Sequence, residues 1–314
     1  MPVDEQTTKV VHVQVPAKIN LALRVGPTRE DGYHELATVF QAVSLFDRVT
    51  ASHARGFSLD VDGPDCSDVP TGTGNLAIQA AQALAARTGH RGGVHLRIDK
   101  QIPVAGGMAG GSADAAAALV ACDALWGSRL PPDELHRLAA GLGADVPFCL
   151  HGGTVVGTGR GDQLAPVAGR GQWHWVVAVT GLRLSTPAVF AECDRLRGGE
   201  HVGEPYVAEA LLAALRHNDP ATLAPTLVND LQPAALSLQP ALWPVLDAGT
   251  RSGALAAVVC GSGPTTVFLV RDQRQAHTVA QELQRLDVVA AATVCTGPVP
   301  GARLVEQVAR NQDS

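Results

Sequence analysis

Four glycines within six residues, Gly106, Gly107, Gly110 and Gly111, separate an apolar segment from an alanine-rich run. From Lys100 to Trp126 the chain reads K-Q-I-P-V-A-G-G-M-A-G-G-S-A-D-A-A-A-A-L-V-A-C-D-A-L-W. The alternation from Val94 to Ile98 predicts a strand, and Pro103 ends ladder pairing because it has no N–H. Glycines so dense are costly in backbone entropy, so the loop that keeps them needs positive φ angles or close backbone approach. Ser112 suits a helix N-cap, and the alanines after it favour helix strongly. Strand, glycine loop and helix in this order present unpaired N–H groups to a phosphate. Plain packing of a tight turn is the competing explanation. The loop is neither G-x-x-x-x-G-K-[ST] nor G-x-G-x-x-G, so it is not a P-loop or a dinucleotide fingerprint.

A chain of 314 residues exceeds one comfortable core, and a composition change near Pro166 to Gly171 divides it into expected units 1–167 and 168–314. The net charge of −6 gives no electrostatic case for nucleic acid, so an anionic ligand needs local positive groups. The six cysteines lie far apart with no C-x-x-C, which argues against a zinc site or redox pair and suits a reducing cytoplasm. Residues 1–15 carry Asp4 and Glu5 and read as no signal peptide, and no apolar run reaches membrane-span length. Oligomeric state stays open between monomer and weak dimer.

Taken in order, Val11, Val13 and Val15 alternate with polar residues; Pro16 interrupts, and A-K-I-N-L-A-L resumes the alternation. Period two puts Lys18 and Asn20 on one strand face and Ile19 and Leu21 on the other, an arrangement that also suits a solvated face. Tyr33-His34 follows a charged turn and is suited either to plugging a loop or to stacking on a flat heterocycle. Residues 51–74 read as a hairpin with surface loops, and Asn75-Leu76 opens a helix to about Arg87. Pro131-Pro132-Asp133 starts a further helix through Leu142. Asp145 then stands among apolar neighbours, as caps and ion-pair partners also do.

In the second half, Trp173 to Val179 is a strand and Thr186-Pro187 a helix start, with Phe190 a core residue by default. Residues 197–205 read as a surface loop, and helical segments follow at Val207–Arg216 and around Asn229–Pro233. Gly261-Ser262-Gly263 turns between two strands, a helix spans Gln275–Leu286, and the polar residues 307–314 are expected to fray.

The glycine segment, P-V-A-G-G-M-A-G-G-S-A, resembles the second motif of the GHMP kinases, the superfamily of galactokinase, homoserine kinase, mevalonate kinase and phosphomevalonate kinase. P-A-K-I-N-L-A-L resembles the first motif of one branch, and C-G-S-G-P-T the third motif. D-G-Y-H-E-L, G-A-D-V-P-F and S-T-P-A-V-F narrow the likeness to the branch whose acceptor alcohol carries a cytidine diphosphate group. The resemblance implies an α+β, two-domain GHMP kinase fold, with a ribosomal protein S5 domain 2-like N-terminal domain and an α/β-sandwich C-terminal domain. It implies transfer of the γ-phosphoryl of ATP, with Mg2+, to the 2-hydroxyl of a methylerythritol.

By the same resemblance ATP is held at Lys100, Pro103, Val104, Ala105, Gly106, Gly107, Met108, Ala109, Gly110, Gly111, Ser112 and Ala113. Lys18 and Asp145 are the catalytic pair, with Lys18 between the carboxylate and the phosphoryl group. At about 4 Å and an effective dielectric near 20, such a pair interacts by roughly 4 kcal/mol before desolvation. Asn20, Tyr33, His34, Thr186 and Phe190 are the expected substrate contacts; Gly261, Ser262 and Gly263 support the loop, and Ser112 and Asp145 are candidate metal ligands. Asp114 is a complication, because a carboxylate there repels phosphate unless it faces away or meets the metal. Ala105 and Ala109 stand where the branch often has glycine, and Met108 where leucine is usual. Two alternatives stay open: a GHMP kinase with a smaller acceptor such as homoserine or mevalonate, and a catalytically silent binder of the same fold.

Overall fold

The computed structural model of the protein describes residues 9–64 and 66–305. Residues 1–8 and the tail expected to fray, 307–314, lie outside the described residues. The chain opens with two long antiparallel strands, β1 (Val10–Thr28) and β2 (His34–Ala54). Pro16 does not end β1; the pairing shifts register between Pro16 and Ala17, so a bulge absorbs the missing donor. Next come β3 (Phe57–Asp62), α1 (Leu76–Thr88, with the Asn75 side chain capping it), β4 (Gly93–Asp99) and α2 (Gly110–Trp126). The expected hairpin at 51–74 does not form. Instead β4 inserts between β2 and β3, antiparallel to the first and parallel to the second. The apolar alternation of Val94, Leu96 and Ile98 buries one strand face, and only a central position satisfies both of its edges.

Helices α3 (Pro132–Leu142) and α4 (Val146–His151) and strands β5 (Thr154–Gly159) and β6 (Gln163–Pro166) complete the first half, with β5 pairing β2. The core of this half is built around α2. Its alanines are buried on nearly every side, which a helix can manage only with small residues facing neighbours all round. Met108 is fully buried in the same core.

The second half runs β7 (Trp173–Thr180), α5 (Thr186–Arg197), α6 (Glu209–His217), α7 (Pro220–Leu223) and β8 (Val228–Asn229). It continues with α8 (Gln232–Leu238), α9 (Leu242–Arg251), β9 (Ala256–Val259), β10 (Thr266–Val270), α10 (Gln273–Leu283), β11 (Val289–Gly297) and β12 (Arg303–Leu304). Four of these strands form an antiparallel sheet in the order β11-β7-β10-β9, under a second core of Val176, Leu242, Phe268 and Val279. Mixed helix and sheet of this kind is the α+β architecture expected. The expected helix at Asn229–Pro233 starts only at Gln232, because Asn229 pairs with β1 and its side chain accepts from the Leu231 N–H.

The halves interlock. β8 and β12 both pair with β1, and Leu211, Leu215 and Leu223 of α6 and α7 pack into the first core. Trp175, fully buried in β7, donates its indole N–H to Gln41 Oε1 of β2 at 2.9 Å. Among the described residues no helix is long and apolar enough to cross a membrane.

Candidate active site

The glycine loop enters α2 differently from the expectation. Ser112 is not the N-cap: the helix starts at Gly110, after Ala109 with φ 60° and ψ 31°. No side chain caps this end, so the first-turn N–H groups keep their capacity for an anion. Ala105 (φ 54°) and Ala109 occupy the left-handed region that glycine favours, and Gly107 has φ 77°. What fixes this path is the turn after β9. A Cβ on Gly107 would collide with the Cys260 carbonyl oxygen, and one on Gly106 would come 2.6 Å from Thr265 Oγ1. Cys260, Gly261 and Gly263 lie against Gly107 of the loop, whereas the Ser262 hydroxyl bonds Thr186. Asn229 Nδ2 holds that turn by donating to the carbonyls of Val259 (2.8 Å) and Gly261 (2.7 Å). From β1, the Lys18 backbone N–H donates to Met108 O at 3.3 Å.

Lys100 is not a free charge for a triphosphate. Its ammonium, 2% exposed, donates to Asp47 Oδ2 at 2.6 Å and Asp114 Oδ2 at 2.9 Å. Asp47 Oδ1 also accepts from the N–H groups of Gln101 (2.6 Å) and Ile102 (2.8 Å), which ties the start of the loop to β2. Asp114 thus faces away from the loop's open side. Burial, opposed by Lys100, pushes its carboxyl up to about 7. Pro103 and Val104 are half-buried in this descending limb, and Ala105 is exposed.

Lys18 and Asn20 are both buried, so the solvated-face alternative fails. Lys18 Nζ donates to Asn20 Oδ1 (2.9 Å) and lies 5.1 Å from the centre of the Phe40 ring. Asn20 Nδ2 donates to Thr38 Oγ1 (2.9 Å), which donates to Ala22 O (2.7 Å). Half of the Asn20 side-chain hydrogen-bonding capacity, one donor and one acceptor position, is therefore committed inside the protein. Asp145 stands at the cap of α4 without a side-chain cap bond, and it makes no ion pair with Lys18. The two do share one cavity of about 360 Å³, with Gly107, Ser112, Thr186 and Ser262 also on its wall. Below them, burial first and Asp145 second hold the Cys149 thiol well above its ordinary range.

Leu36, Ala144, Arg160, Thr186 and Phe190 line both this cavity and a larger cleft of about 810 Å³, so the two are continuous. Tyr33 and His34 line the far end. His34 stacks on Phe190, with ring centres 5.0 Å apart and planes at 26°. Tyr33, 59% exposed, has the Arg160 guanidinium 5.4 Å from its ring centre. Thr186 Oγ1 and Ser262 Oγ share a hydrogen bond of 2.8 Å, which links α5 to the supporting turn.

Three residues escaped the sequence reading. Thr38 lies in β2 opposite the Lys18–Asn20 face, and nothing in its local pattern singles it out. Arg160 is a lone cation in the glycine-rich run G-T-G-R-G-D, which carries no motif of its own. Asp194 follows Phe190 by one helical turn, and that spacing was the available signal.

A hard cation bridging phosphates needs few protein oxygens, since water and phosphate complete its shell. The Ser112 hydroxyl and the uncommitted Asp145 carboxylate fit that need. Among the described residues there is no cluster of three or more Asp, Glu, His or Cys side chains that would hold a metal without the nucleotide.

Residues 75–153 match the family described as GHMP kinases N terminal domain, and residues 211–288 match GHMP kinases C terminal. A relative from Salinispora tropica named 4-diphosphocytidyl-2-C-methyl-D-erythritol kinase is 54% identical over 296 residues, covering 94% of each chain. One of the same name from Rhodococcus jostii is 54% identical over 299 residues, covering 95% of this chain and 96% of its own. A crystal structure of 4-(cytidine 5'-diphospho)-2C-methyl-D-erythritol kinase superposes with a TM-score of 0.76 at 34% identity, covering 91% of this chain and 98% of that one. A homoserine kinase from Cytophaga hutchinsonii, 18% identical with a TM-score of 0.74, shares the fold.

Proposed function

Because this chain belongs to the GHMP kinases, among those named 4-diphosphocytidyl-2-C-methyl-D-erythritol kinase, we propose that it transfers the γ-phosphoryl of ATP to the 2-hydroxyl of 4-diphosphocytidyl-2-C-methyl-D-erythritol. The observation that carries the reading is the single trough running from the open N-terminus of α2, past Lys18 and Asp145, to Tyr33 and His34. Its narrow end suits a triphosphate, and its wide aromatic end suits a flat base.

In this reading the N–H groups from Gly106 to Ser112 bind the phosphates. Asp145 accepts the proton of the acceptor hydroxyl or orients it, and its lack of a hydrogen-bonding partner among the described residues leaves the carboxylate available. Lys18 stabilises charge gathering on the transferring group, and Asn20 aims the ammonium while offering its remaining capacity to the substrate. Mg2+, held by Ser112 and Asp145, would neutralise phosphate charge. Tyr33, His34 and Phe190 take the cytosine, and Thr186 takes polar groups of the acceptor.

Units 1–167 and 168–314 each contribute one wall of the trough, the first with the glycine loop, Lys18 and Asp145, the second with Thr186 and Phe190. A cytoplasmic setting is supported by six unpaired cysteines.

The test is ADP release with ATP and Mg2+, offering the cytidine substrate, mevalonate and homoserine separately. Turnover with the cytidine compound alone is expected; turnover with a small alcohol would void the aromatic end. Asp145→Asn is expected to lower kcat by about 100-fold or more with the KM for ATP little changed. Near-normal turnover would remove Asp145 from its role. Tyr33→Ala is expected to raise chiefly the KM for the cytidine substrate.

A further inference from the structure

His34 is held on two sides by a single helix. Phe190 and Asp194 are four residues apart on α5, so they share one face of it. Phe190 stacks on the imidazole, and Asp194 receives its Nε2, at 2.9 Å from Oδ1 and 3.1 Å from Oδ2. Thr28 Oγ1 lies 3.3 Å from the same nitrogen. A carboxylate that close requires a hydrogen on Nε2. In the neutral ring, Nδ1 then carries a lone pair, and it has no protein partner among the described residues. His34 and Asp194 both line the large cleft.

We infer that Asp194 is a specificity-determining positioning residue: by fixing the His34 tautomer it presents Nδ1 as a hydrogen-bond acceptor, which selects an aminopyrimidine over an oxopyrimidine. This rests on the reading that the cytidine group binds at Tyr33, His34 and Phe190. Cytosine offers an exocyclic amino donor where uracil offers an oxygen acceptor. An acceptor fixed on the protein pairs with the first and repels the second. Discrimination of this kind is strong because the wrong base leaves a desolvated polar group unpaired. The carboxylate acts through the imidazole, as an orienting acid does behind any imidazole whose tautomer matters.

The test is the ratio of kcat/KM for the diphosphocytidyl substrate to that for its diphosphouridyl analogue, measured above the ordinary titration range of histidine. Asp194 is 47% exposed on a surface helix, so its variants are expected to fold. The expected result is a loss of about tenfold or more in this ratio for Asp194→Ala, carried by KM with kcat unchanged, and recovery in Asp194→Glu. Nitrogen-15 spectra of the His34 ring supply a second readout. Nδ1 should report an unprotonated nitrogen in the unaltered protein and a tautomer mixture in Asp194→Ala. An unchanged ratio, or a hydrogen on Nδ1, overturns the inference. If the ratio is unchanged while His34→Ala and Phe190→Ala still raise the KM, the pocket stands and only the role of Asp194 falls. If those two variants leave the KM unaltered, the base binds elsewhere and both readings fall.

Discussion

At the scale of single residues, the glycine loop is held by contacts across the chain more than by its own composition. Ala105 and Ala109 sit at positive φ, where an L-residue loses roughly 1–2 kcal/mol relative to the right-handed helix. Replacing Ala109 by glycine removes that strain but adds unfolded-state entropy. Ala109→Gly is therefore expected to change stability by less than about 1 kcal/mol, in either direction. Ala117→Gly, inside α2, is expected to cost about 1 kcal/mol or more. Urea unfolding of the two variants checks this, and equal costs would show that the left-handed geometry is not strained. Gly107→Ala is a harsher change. Its Cβ meets backbone at Cys260, which cannot swing aside as a side chain can. We expect a loss of about 2 kcal/mol or more and weaker ATP binding, read by denaturation and by nucleotide titration.

At the scale of elements, three of them are pinned at one buried cluster: β2 through Asp47, the end of β4 through Lys100, and α2 through Asp114. One cation serves two carboxylates, so the two ends of the cluster are not equivalent. Lys100→Met leaves both acids buried and facing each other and is expected to cost about 3–5 kcal/mol. Asp114→Asn leaves the Lys100–Asp47 pair intact and is expected to cost about 1 kcal/mol, the more so because Asp114 Oδ1 already lacks a partner. Chemical denaturation of both variants checks the asymmetry; similar losses would mean that the cluster is not held chiefly by its single cation.

At the scale of the molecule, the two sheets are separate but the chain is not cleanly divided. Leu211, Leu215 and Leu223 close the first core from the second half, and β8 and β12 extend its sheet. Burying three leucines contributes at least about 5 kcal/mol, comparable to the whole stability of a typical domain. A fragment of residues 1–167 is thus expected to show no cooperative unfolding transition, whereas the full chain shows one. A sharp transition in the fragment would mean that the first half folds independently. Its aromatic wall would also be missing, since Phe190 and Thr186 come from α5.

Much of this was legible in one dimension. The strand, loop and helix around Gly106–Ser112, the helix starts at Asn75, Pro132 and Thr186, and the approach of the Gly261–Gly263 turn all follow from local pattern or motif. Local signals suffice there because capping, proline geometry and apolar period act over a few residues. Other features depended on neighbours distant in sequence. The close approach of Gly107 to the Cys260 carbonyl joins segments far apart in the chain; the partners of Lys100 come from 53 residues before it and 14 after. The insertion of β4 beside β2, the pairing of Asp114 with Lys100 and the grip of Asp194 on His34 are of the same kind. Residue types announce which charges and rings a chain carries. Which of them remain free to meet a substrate is decided only when burial has assigned the others their partners.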